Sequence, residues 1–114
     1  MPFNEILSDR IREALINEKD VTEKVMFGGI CFMVDGKMCM GVLKDEIMCR
    51  VDPELIEELL DMHGCRQMDM KGTPMKGFVL VSEDGFRNQK EFDYWVKLCL
   101  DFNPFAIASK KKQV

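Results

Sequence analysis

The chain has 114 residues, of which 46% are hydrophobic and 32% charged, with a net charge of −4. That length and mixture fit one ordinary core and exclude a disordered polar chain, and no run of about 18 apolar residues offers a membrane span. A pI near 5.0 disfavours direct binding to duplex DNA, which draws on a basic face.

The first predicted element is an amphipathic helix over 3–17, because Phe3, Ile6, Leu7, Ile11, Ala14 and Leu15 recur at helical spacing with polar residues between them. The opening Met1-Pro2-Phe3-Asn4-Glu5 has neither the basic segment nor the apolar stretch of a signal peptide, so a cytoplasmic protein is expected. Three apolar runs follow, over 25–34, 37–44 and 47–51, and read as a meander. Asp35-Gly36 between the first two is a hairpin signal, since a two-residue type I′ turn needs positive φ at both positions. It pairs Val34 with Lys37, Met33 with Met38 and Cys31 with Met40. Gly28-Gly29 lies inside the first run and reads as a bulge or a close backbone approach, not as a phosphate loop.

In that register one sheet face holds Phe27, Cys31, Met33, Met38, Met40, Val42, Ile47, Cys49 and Val51, and is the expected core side. The other holds Met26, Ile30, Phe32, Val34, Cys39, Leu43 and Met48, with Lys37 and Arg50 at its margin. An antiparallel sheet open to water alternates apolar and polar residues, and this second face does not. A partner protein or a second copy is its expected cover. Met26, Ile30, Phe32, Lys37, Leu43 and Arg50 are therefore the candidate interaction residues, and a homodimer is the expected assembly. Arg50 is singled out because its planar fork suits a carboxylate or a phosphate.

Asp52-Pro53 starts a second helix, with Leu55, Ile56, Leu59 and Leu60 as its apolar stripe and Gly64 as its stop. A short strand over 68–70, a loop over 71–74 and a strand over 78–81 come next. Asn88 and Glu91 then open a third helix carrying Phe92, Trp95, Val96, Cys99 and Leu100, which Asn103-Pro104 ends. The order is helix, three strands, helix, two strands, helix: an α+β fold with a five-stranded, mostly antiparallel sheet. One domain over 1–109 is expected, followed by a basic tail over 110–114.

The chemistry-bearing residues are few. His63 is the only histidine and sits near a helix end, where a surface role is expected. The five cysteines form no close pair of metal-ligand spacing, so reduced, buried thiols without metal or cofactor are expected. Glu54, Glu57, Glu58 and Asp61 fall on the exposed side of the second helix, and no Ser/His/Asp arrangement appears, so no catalytic residue is assigned. Met26, Met33, Met38, Met40 and Met48 cluster in the meander, as core filler or as an adaptable binding surface.

Met26-Phe27-Gly28-Gly29, the hairpin Asp35-Gly36-Lys37-Met38, Arg50-Val51, the run from Pro74 to Val79 and the helix with Trp95-Val96 carry a resemblance. In that order and spacing they resemble the N-terminal domain of TfoX-type competence regulators. The resemblance implies a bacterial protein with a secretion-chaperone-like two-layer fold and a link to transcriptional activation of DNA-uptake genes. It offers no catalytic residues. The expectation is a non-enzymatic protein-interaction or regulatory domain; the alternative is a small-ligand-binding protein or enzyme with a pocket near Lys37 and Arg50.

Overall fold

The computed structural model describes residues 3–107; the basic tail Lys110-Lys111-Lys112 lies outside them. Helix α1 spans Glu5–Ala14. Strands β1 (Val21–Met26), β2 (Gly29–Val34), β3 (Lys37–Leu43) and β4 (Glu46–Arg50) follow. A 3-10 turn, Pro53–Leu55, leads into α2 (Ile56–Leu59). Then come β5 (Cys65–Met70), β6 (Thr73–Val81), a 3-10 turn at Glu83–Gly85 and α3 (Gln89–Phe102). All strand pairs are antiparallel, and the sheet runs β1-β2-β3-β4-β6-β5. The α+β class holds, with six strands rather than the expected five.

The extra strand comes from a turn where a continuous strand was expected. Phe27 and Gly28 have φ of +58° and +77°, and Met26 pairs with Gly29 across them. The run over 25–34 is thus folded back on itself, and β1 begins at Val21. The same two-residue geometry occurs at Asp35-Gly36, as the sequence predicts, and at Lys71-Gly72, where a longer loop was expected. Phe27 hides its turn because a bulky side chain seldom takes the left-handed conformation that Asn or Asp tolerates.

A β-bulge decides which residues share a face. Phe32 pairs with Met40 and Met33 with Met38, so Cys39 has no partner on β2. One extra residue on β3 shifts the pairing and flips the faces of β2 against the bulge-free reading. Ile30, Phe32 and Val34 join Met40, Val42, Ile47, Cys49 and Val51 under the helices. Cys31, Met33 and Met38 pass to the opposite face. The expected core side is therefore corrected strand by strand: right for β3 and β4 beyond the bulge, reversed for β2.

The helices seal the first face. Leu7, Ile11 and Leu15 from the α1 region and Phe92, Trp95, Val96 and Cys99 from α3 complete this core. Each such side chain withdrawn from water contributes roughly 1.5–3 kcal/mol before entropy is counted. The caps at Asp52 and Asn88 follow the sequence signals, and Asn4 adds a third at the start of α1. The Leu7 amide donates to Asn4 Oδ1 at 3.0 Å, the Glu54 amide to Asp52 Oδ1 at 2.9 Å and the Glu91 amide to Asn88 Oδ1 at 2.9 Å. Asn103 Nδ2 donates to the Val34 carbonyl at 3.2 Å, tying the end of α3 to the end of β2. Among the described residues no helix is long and apolar enough to cross a membrane.

One ion pair fastens α1 to β1. Arg12 Nε and Nη2 donate to the two carboxylate oxygens of Glu23 at 2.6 and 2.8 Å. That hydrogen bonding holds the Glu23 carboxyl below its ordinary value. A lowered folded-state pKa gives stability that is present above the ordinary carboxylate value and is lost as pH falls through the lowered one. Both side chains are more than a third exposed, at 45% and 37%, so screening keeps the effect under about 1 kcal/mol. Glu23→Gln is expected to reduce the difference in urea stability between pH 7 and pH 3, roughly by that amount. An unchanged difference would place the pair outside the acid response.

All five cysteines are free. Burial pushes the Cys31 thiol up to about 11 and does the same to Cys65, at about 11, while Cys39 and Cys99 are also raised. Thiols so raised are poor nucleophiles at neutral pH. Titration of the native protein with a thiol reagent is expected to find only the partly exposed Cys65 reacting, and slowly, and all five after denaturation. Rapid native reaction of Cys39 or Cys99 would contradict the packing described.

Candidate interaction face

The face turned away from the helices has its own cluster. Cys31, Met33, Met48, Met68, Phe78 and Leu80 are buried there, and Met26, Phe27, Met38, Leu43 and Met75 pack against them half-buried. All of these lie in strands or in the Phe27-Gly28 turn, so this cluster is closed by its own long side chains and not by a helix. The pairing aligns one row across the whole sheet: Lys24, Cys31, Gly41, Met48, Leu80 and Arg66 are successive cross-strand partners. Gly41 leaves a gap in that row between Cys31 and Met48. An added Cβ there would stand 2.4 Å from the Ile30 carbonyl oxygen, so the strands approach too closely for any other residue.

Arg50 stands at the end of β4 on this face, paired with Phe78. Its guanidinium carbon lies 5.3 Å from the centroid of the Phe78 ring, a cation–π distance. Nη1 donates to the Met38 carbonyl at 3.4 Å and Nη2 to the Ile107 carbonyl at 3.2 Å. Burial lowers its pKa, yet a guanidinium keeps its proton at any neutral pH. Among the described residues no carboxylate lies within ion-pair distance of it. A half-buried cation held by two long contacts to carbonyls has donors left for an oxygen ligand.

The six sequence candidates divide. Met26, Leu43 and Arg50 share this face. Ile30 and Phe32 lie under the helices at 7% and 0% exposure, so an association surface drawn through both sets is corrected. Lys37 pairs with Val34 of the helix-side core, and its Nζ is 3.9 Å from Asp35. The bulge is the reason in each case. Sequence reasoning missed Lys24, Arg66, Met68, Phe78 and Leu80, whose alternation gives their side only once the registers are known.

A second feature lies elsewhere. A concavity of about 510 Å³ is lined by Met62, His63, Asp84, Gly85, Asn88, Lys90, Glu91, Tyr94 and Trp95. Two glycines build it: a Cβ on Gly64 would stand 2.6 Å from the Gly85 amide nitrogen, so the backbones touch and bring His63 beside the Glu83–Gly85 turn. His63 Nε2 and Asp84 Oδ2 are 3.9 Å apart and both largely exposed, too far for the hydrogen bond an acid–base pair needs. Tyr94 meets Trp95 edge to face at 5.4 Å. Neither Lys37 nor Arg50 lines this concavity.

The family model for the TfoX N-terminal domain matches residues 13–103. Comparison with curated proteins and with solved structures returns no match.

Proposed function

The chain belongs to the TfoX N-terminal domain family, and we propose that it is a non-enzymatic protein-interaction domain that acts in regulation through the helix-free face of its sheet. The observation that carries this reading is Arg50. It is a half-buried guanidinium on an apolar, methionine-rich face, with no carboxylate partner among the described residues. Methionine side chains repack at little cost, so they suit a surface that accepts a partner's apolar groups. The family resemblance supplies the regulatory half of the proposal, in transcription linked to DNA uptake.

Arg50→Met tests it, because methionine keeps much of the stem and removes the charge. Stability of the free protein is expected to change by no more than about 1 kcal/mol, since no paired charge is broken. Association with the partner is expected to weaken by about 2–5 kcal/mol, as when one member of a desolvated charge pair is removed. Light scattering over a concentration series separates a second copy from a different protein. Unchanged association in the variant would defeat the proposal.

A second reading rests on the concavity between His63 and Tyr94. The exposed Tyr94 ring in its wall suits a small flat ligand. Trp95 is the only tryptophan, so its fluorescence reports on occupancy directly.

A further inference from the structure

The charges on the binding face are not those of the chain as a whole. The protein carries −4, yet the cross-sheet row has Lys24 at one end and Arg66 at the other, with Arg50 two residues along β4 from the row's Met48. Among the described residues, the one carboxylate that the register places on this face is Glu46, paired with Leu43. Arg66 already holds it with two hydrogen bonds, Nη2 to Oε1 at 2.6 Å and Nε to Oε2 at 3.2 Å. Lys24 and Arg50 have no carboxylate within ion-pair distance among the described residues. The acids are carried largely by the helical layer, where Asp9, Glu13, Glu57 and Glu58 are exposed.

We infer that the partner of this face is an acidic amphipathic helix of another protein, lying across the strands along the row from Lys24 to Arg66. The inference rests on the reading of the face as the binding surface. Its length follows from the sheet: five strand spacings span roughly 24 Å, which a helix of about 16 residues covers. Apolar side chains of the helix meet the half-buried rim of Met26, Met38 and Met75, and its carboxylates reach Lys24 and Arg50. A second copy meeting this face through a two-fold axis brings like charges together, which the row disfavours.

The experiment uses fluorescence anisotropy of the full chain with labelled 16-residue peptides. One carries a leucine stripe and glutamates at both ends; its control carries lysines at the same positions. The glutamate peptide is expected to bind at least tenfold more tightly, to weaken with added salt, and to lose threefold or more on Lys24→Ala and about thirtyfold or more on Arg50→Met. Equal binding of both peptides, with affinity for both falling on Met38→Ala, would overturn the acidic partner while keeping the face. Binding that neither Met38→Ala nor Arg50→Met alters would overturn the face itself. Tighter binding of a 20-base-pair DNA duplex than of the glutamate peptide would overturn the protein partner in favour of nucleic acid.

Discussion

Trp95→Ala is expected to destabilise the protein by about 4 kcal/mol, the largest single loss in the fold. Trp95 is 1% exposed and is the largest side chain of the helix-side core. Its Nε1 donates to the Gly85 carbonyl at 2.9 Å, so truncation leaves a cavity and also removes that carbonyl's partner. For a chain of this size the midpoint of thermal unfolding should fall by roughly 15 °C. Trp95→Phe keeps much of the volume and loses the hydrogen bond, and is expected to cost about 1–2 kcal/mol. Calorimetry of the three proteins checks both values. Near-equal losses in the two variants would mean that the hydrogen bond, and not the filled volume, dominates at this position.

Gly29→Ala is expected to cost about 3 kcal/mol, because the added Cβ would stand 2.1 Å from the Val42 carbonyl oxygen across β2 and β3. That neighbour is backbone in a paired strand and cannot rotate away. The adjacent Gly28 makes the contrast. A Cβ there meets nothing within 4 Å, so Gly28→Ala pays only for a left-handed φ of +77°, about 1 kcal/mol. Two neighbouring glycines thus serve two different ends, a turn and a close strand approach. Denaturant unfolding of both variants measures the difference. Equal losses would show that the β2–β3 spacing relaxes, or that residues 27 and 28 form no turn.

The close-approach reading of Gly28-Gly29 was legible in the sequence for Gly29 and misplaced for Gly28. The Asp35-Gly36 hairpin, the caps at Asp52 and Asn88, and the apolar stripe of α3 were legible too, because each rests on local chemistry. What was not legible is non-local. The bulge at Cys39 leaves no compositional mark, and its one-residue shift reassigns Ile30, Phe32 and Lys37. The turn at Phe27 was concealed by a residue type that seldom adopts positive φ. The second face was rightly seen to lack polar alternation, although half of its expected members belong to the other side. Met68, Phe78 and Leu80 entered it from β5 and β6, and no short-range signal announces that β6 pairs with β4 and places β5 beyond it.

The ten methionines offer a direct test of which surface binds. Carbon-13-labelled methionine methyl groups can be followed by NMR as the glutamate-ended peptide is added. Met26, Met38 and Met75 line the helix-free face, whereas Met62 lines the concavity beside His63. The expected result is a saturable shift of the Met26, Met38 and Met75 methyl signals, abolished by Arg50→Met, with Met62 unmoved. A saturable shift at Met62 with the other three unmoved would contradict the account and place binding in the concavity.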